Sequence, residues 1–205
     1  PYFNFDPNIY LRKNVNLSQD LYPYSKEVYL DICKKENHKE IVIGEMKGHF
    51  FNISKFVDDK KVDNIISLIH QYDDETFDIC NCLIKETSCF KQCGENIYHL
   101  DRFFIYPQFR SHGIGRHVLE TFENNIGFFM ENNVRYIGLF PDPITEDPEY
   151  DSLLYMSKEE RNNAINHLVK FYSSLGFRKM KTNSDYMYLD LKHLNLHLLK
   201  NQHSS

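Results

Sequence analysis

Residues 101–119 read DRFFIYPQFRSHGIGRHVL, and the succession of residue types in this stretch decides the fold. Phe103, Phe104 and Ile105 form an apolar run with the character of a buried strand. Pro107 ends it, because proline brings no N–H to a sheet ladder. A polar turn over 108–112 leads to Gly113 and Gly115. From Ile114 onward Val118, Leu119, Phe122, Ile126 and Phe129 recur at spacings of three and four, as on one face of a helix. The unit is a strand, a tight turn and a helix. The first N–H groups of a helix have no partner within it and sit at the positive end of its dipole. Small residues there let a phosphate approach the main chain. With Arg110 and Arg116 flanking it, the turn reads as an anion cradle suited to a diphosphate, against the plainer reading of a turn that starts a helix. It lacks the third glycine and the later acidic residue of a dinucleotide fingerprint, and the Gly-Lys-Ser/Thr of a P-loop.

The 205 residues are 41% hydrophobic and 26% charged, as expected for one globular domain spanning 1–205. With 16 Phe, 14 Tyr and no Trp, the core must be built on Phe and Tyr. A net charge of -5 argues against a general nucleic-acid binder, and no apolar run approaches the ~20 residues of a membrane span. Five cysteines, an odd number, point to a reducing compartment, so a cytoplasmic location is expected. Cys80-x-Cys82 and Cys89-x-x-x-Cys93 do not follow a standard zinc spacing and read as buried or loop thiols, so no metal is expected.

Residues 1–24 show no period and read as an irregular arm, with one short strand near 9–12. Val28, Leu30 and Ile32 alternate along a strand over 27–33. Residues 34–39 are a charged turn, 41–46 a second strand, and 48–53 a third strand or its continuation. Asp58 and Asp59 read as the start of a helix striped by Val62, Ile65, Ile66 and Ile69. Over 75–84, Phe77, Cys80 and Ile84 fit a helix, while Phe77, Ile79 and Leu83 fit a strand; the helix is favoured. A polar loop over 85–95 leads into the strand 97–105. After the central helix comes a strand over 134–140, stopped by Pro141-Asp142-Pro143, then an acidic loop over 142–157 read as solvated. A second amphipathic helix over 162–175 ends at Gly176, where a left-handed residue is needed. Strands over 177–181 and 186–191 close the fold, and the tail from 193 adds a short helix or frays.

Arg110-Ser111-His112-Gly113-Ile114-Gly115 resembles the Arg-x-x-Gly-x-Gly acetyl-CoA motif of the GNAT superfamily, the GCN-related N-acetyltransferases. Tyr172-Ser173-Ser174-Leu175-Gly176-Phe177 resembles the second signature of that family, a helix ending in Tyr-x-x-x-Gly-Phe. The order of elements over 97–191 is also similar. The resemblance implies an α/β fold, with a central mixed β-sheet flanked by helices as in acyl-CoA N-acyltransferases, and makes 97–191 the CoA-binding and catalytic half. The N-terminal half departs from the family, which usually puts helices after its first strand.

The resemblance implies acetyl-CoA as cosubstrate and an amine as acceptor, either a small molecule or a protein. Arg110, Ser111, His112, Gly113, Ile114, Gly115 and Arg116 would hold the diphosphate. The main chain of Phe103, Phe104 and Ile105, on a strand that splays from its neighbour, would hold pantetheine, and one of its N–H groups would polarise the thioester carbonyl. Tyr172 would protonate the departing thiolate. For the amine proton, Asp101 is named; His99 shares its face by alternation, and Glu45 is a lesser option. Nucleic-acid and membrane partners are not expected, and a homodimer is left open. Two alternatives remain: an acyl-CoA sensor without turnover, and a structural domain without cofactor.

Overall fold

The two longest strands set up the sheet. β3 (Ser25–Glu36) and β4 (Lys39–Phe51) pair antiparallel from Ser25↔Phe51 to Glu36↔Lys39. Asn37 and His38 join them, both with positive φ (50° and 63°), the two-residue turn whose twist suits a hairpin. The computed structural model describes residues 7–22, 24–59, 63–87, 95–110, 113–144 and 156–192. The short strand expected near 9–12 is present as β1 (Ile9–Lys13). The rest of the expected arm over 1–24 needs correcting, because 19–22 form a second strand, β2 (Gln19–Tyr22), and both strands pair with β3. Their own sequences show little period; the register with β3, such as Leu11↔Ile32, holds them in place.

The chain then leaves the sheet for three helices. The Asn52 side chain accepts from Lys55 N and starts α1 (Ile53–Asp58). Asp58 and Asp59 therefore close a helix instead of opening one, which corrects the reading above. Burial of Ile53 and Phe56 against the sheet, with the Asn52 cap, fixes the start there. α2 (Asp63–Ile69) buries Ile65, Leu68 and Ile69, and leaves Ile66 exposed. Asp73 begins α3 (Asp74–Thr87) by accepting from Thr76 N at 2.7 Å. Thr76, Ile79, Cys80, Leu83 and Ile84 face the core at helical spacing, so 75–84 is helix, and it runs three residues past the expected end.

From residue 97 the elements come in the expected order. β5 (Ile97–Ile105) is followed by a single 3-10 turn (Pro107–Phe109), α4 (Ile114–Met130), β6 (Tyr136–Leu139), α5 (Lys158–Ser173), β7 (Arg178–Lys179) and β8 (Met187–Asp190). α5 opens on a capping box in which Ser157 and Glu160 satisfy each other's backbone N–H. Gly176 takes φ 98° just past the helix. Residues 145–155, most of the acidic loop, and the tail from 193 lie outside the described residues, as do Cys89 and Cys93.

The sheet has eight strands in the order β1-β3-β4-β5-β6-β8-β7, with β2 also on β3. Neighbours are antiparallel except β5 and β6. Alternate residues feed two cores: Phe51, Ile97 and Tyr136 pack with α1–α3, while Phe50, Tyr98 and Ile137 pack with α4 and α5. Helices thus cover both faces. Phe122, fully buried in the second core, contributes roughly 1.5–3 kcal/mol. No helix among the described residues is long and apolar enough to cross a membrane.

Candidate active site

β5 and β6 pair over only three rungs, Ile97↔Tyr136, Tyr98↔Ile137 and His99↔Gly138. Beyond His99, β5 continues to Ile105 along β4, while β6, paired with β8 along its other edge, ends at Leu139. The parted strands open a cleft of about 1090 Å³, lined by residues 100–105 of β5, the start of α4, one side of α5, and Phe140, Asp142, Pro143 and Ile144. That volume stands at the top of the range of small-molecule pockets, roughly 300–1,000 Å³, so it suits an extended ligand with a second one. The splay expected of this strand is present, with Phe103, Phe104 and Ile105 on its open side. β5 also carries a bulge: Lys47 faces Arg102 and Gly48 faces Leu100, which leaves Asp101 as the extra residue. Bulges re-aim side chains beside active sites.

At one end of the cleft lies the start of α4. Gly113 caps the helix in the left-handed region, with φ 77°. Gly115 serves packing: a Cβ there would stand 3.3 Å from the Phe171 ring and 3.7 Å from Ile105 Cδ1. The space expected for a phosphate at Gly115 is therefore side-chain space on that side. Arg110 folds back onto β5, donating from Nε to Ile105 O at 2.8 Å, with its guanidinium over the Phe104 ring. Arg116 lines the cleft but spends its hydrogen bonds on Ser174 and Glu120. Ser111 and His112 lie outside the described residues.

Tyr172, from α5, is 7% exposed and lines the cleft from the α4–α5 face of the sheet. Burial pushes its phenol up, so it stays protonated and can donate.

The opposite face of the sheet contributes a polar cluster at the far end. Asp101 pairs with Lys47 (3.2 Å), and Lys47 also reaches Glu27 (3.6 Å). Glu75, on α3, brings Oε1 to 3.8 Å from Nε2 of His99. His99 is buried, and burial pushes its imidazole down to about 4, so it is neutral. Burial and the neighbouring Asp101, Asp73 and Asp142 carboxylates push Glu75 up to about 7. Thr76 Oγ1 donates to Asp73 at 2.9 Å and meets Nδ1 of His99 at 3.0 Å. Asp101 and His99 do share a face, as alternation predicts. Glu45 is turned to Arg102, with which it forms an ion pair at 2.5 Å.

No family model and no curated protein matches the sequence. Solved structures match in outline. The chain is similar in fold to agmatine N-acetyltransferase. That likeness has a TM-score of 0.41 at 7% identity and covers 79% of this chain and 75% of the other. AtaTR bound with AcCoA gives 0.43 at 10% identity, covering 84% and 72%, and AtaT complexed with acetyl-methionyl-tRNAfMet gives 0.42 at 13%, covering 84% and 75%. A likeness of this extent leaves function to the chemistry of the cleft.

Glu75, Lys47, Thr76 and Asp73 are site residues that sequence reading missed. Asp73 had a signal: an acidic residue directly before a helical period is an N-cap pattern. Glu75 had none, because α3 meets β5 across the sheet, with Thr76 and its partner His99 23 positions apart.

Proposed function

We propose that this chain is an acyltransferase of the GNAT type, moving an acetyl group from acetyl-CoA to an amine. The observation that carries this reading is the edge of β5 left open beyond His99, running to the left-handed Gly113 at the start of α4. An open strand edge offers fixed N–H and C=O groups to the amide-rich arm of pantetheine, and the helix start offers N–H groups to its diphosphate. In this reading the main chain of Phe103, Phe104 and Ile105 takes the first role. The second falls to the turn from Arg110 through Ser111, His112, Gly113 and Ile114 to Gly115, with Arg116 bracing it.

The amine attacks the thioester carbonyl; a C–N bond forms and the C–S bond breaks. A main-chain N–H of β5 steadies the oxyanion. Tyr172 gives its proton to the leaving thiolate, and the Asp101–Glu75 pair receives the proton the amine loses. The pair's position across the cleft from Tyr172 supports turnover over mere sensing, since a sensor needs no proton acceptor. The buried free thiol of Cys33 supports a reducing, cytoplasmic setting.

The test is a thermal-shift titration of the full chain with acetyl-CoA and CoA, followed by thiol release over a panel of amines. A ligand at 100 times its Kd stabilises the native state by about 2.7 kcal/mol. No shift at millimolar acetyl-CoA removes the cofactor; a shift without thiol release for any amine leaves the sensor.

A further inference from the structure

Thr76 fixes the tautomer of His99. The Thr76 hydroxyl donates its single proton to the Asp73 carboxylate at 2.9 Å. Toward Nδ1 of His99, 3.0 Å away, Thr76 Oγ1 can therefore only accept. Nδ1 carries the proton, and Nε2 is left with a bare lone pair. That Nε2 is buried and has no hydrogen-bond partner among the described residues, while the His99 side chain is 0% exposed. A buried acceptor without a donor is costly, and a water or an ion seated against it would relieve that cost.

Nε2 does not stand alone. Ligand atoms of Glu75, His99 and Asp101 all lie within 4.8 Å of one another. Each can offer an electron pair: one imidazole nitrogen and two carboxylates. Lys47 neutralises Oδ2 of Asp101 and leaves its second oxygen. The positive charge at the cluster's edge is Lys47, held on Oδ2 of Asp101.

We infer that Glu75, His99 and Asp101 form a binding site for a divalent transition metal of the zinc class. One imidazole and two carboxylates match the borderline ligand preference of zinc, with a fourth position left for water. Bonds of 2.0–2.1 Å in a tetrahedron put donors roughly 3.3 Å apart. Nε2 and Oε1 of Glu75 are at 3.8 Å, and the Glu75 side chain, 43% exposed, has the freedom to close the difference. The outer arrangement is that of a metal-ligating histidine as well: its second ring N–H is held, here by Thr76 backed by Asp73. This site is separate from the cysteines considered above, and its existence does not depend on acetyl transfer.

The experiment is equilibrium dialysis of chelator-stripped full-length chain against zinc, with cobalt(II) as a spectroscopic substitute. One ion per chain is expected, with cobalt d–d bands and no thiolate charge-transfer band. Glu75→Gln, at a half-exposed position, should weaken binding at least about tenfold, and His99→Phe should do the same if it folds. A thiolate band, no binding at tens of micromolar zinc, or unchanged affinity in Glu75→Gln overturns the inference. So does a rise in Tm with n-butylamine but none with zinc, which would give the three acceptors to an ammonium group.

Discussion

Nη2 of Arg116 donates to Oγ of Ser174 at 2.6 Å, tying the first turn of α4 to the cap of α5. Ser174 passes its own proton to Phe171 O at 2.6 Å, and Nη1 of Arg116 also reaches Ser174 O at 3.4 Å. The guanidinium therefore braces the mouth of the cleft. At 30% exposure its worth is below that of a buried charged hydrogen bond, so Arg116→Ala is expected to cost about 1 kcal/mol in urea unfolding. The KM for acetyl-CoA should rise a few-fold with it. A KM that moves while stability does not would mean that Arg116 touches the cofactor directly.

Gly113 holds φ 77°, where a Cβ costs about 1–2 kcal/mol. Gly113→Ala should lose that stability and weaken acetyl-CoA binding, read by chemical unfolding and by titration calorimetry. Gly113→Asn should recover part of it, because asparagine tolerates the left-handed region. Equal loss in both variants would point to side-chain crowding in place of backbone strain.

Tyr172→Phe keeps the ring that packs between Phe171 and Phe177 and removes only the hydroxyl. Thiol release at saturating amine should fall about 10²-fold or more, with the KM for acetyl-CoA within about twofold of the parent. Unchanged turnover would assign the leaving-group proton to another donor.

Glu123, on α4, gives a pH signature away from the cleft. Its Oε1 is buried without a hydrogen-bond partner, and burial with nearby Glu120 pushes the carboxyl up to about 8. Between the ordinary 4.5 and about 8 the folded chain binds more proton than the unfolded one, so this group's contribution to stability falls as pH rises through that window. Glu123→Gln should therefore melt at least about 2 °C higher at pH 9, ~1 kcal/mol for a chain of this size, and show little change at pH 4. A pH-independent difference would trace the effect to packing.

Zinc held by Glu75, His99 and Asp101 occupies the two carboxylates assigned to the amine proton. Acetyl transfer should drop to about a tenth or less with zinc bound and recover with EDTA, as expected when a proton acceptor is withdrawn. An unaffected rate at full occupancy would separate the metal site from the acceptor site.

What could be read in advance followed the range of the signals. Ile97–Ile105 and α4 were legible because Pro107, Gly113 and the recurrence from Ile114 to Phe129 are local marks. A strand near 9–12 was legible, but the one at 19–22 was not, since pairing with β3 supplies its order. Asp58 and Asp59 misled because carboxylates suit a helix start, whereas Asn52 and the buried pair Ile53 and Phe56 had already set that start six residues earlier. Asp101 and Tyr172 of the cleft, and His99 buried beside it, lie on elements with clear periods or motifs. Glu75 joins them only when α3 is laid across the sheet, a contact no spacing along the chain records.

The early parting of β5 from β6 has one more consequence. A slot cut between backbones is indifferent to which side chains flank it, provided the strand stays extended. Substitution at Phe103 or Phe104 should leave that groove intact, while changes at Glu75 or Asp101 remake what the far end accepts. One half of such a protein can hold its ligand constant as the other half explores new ones.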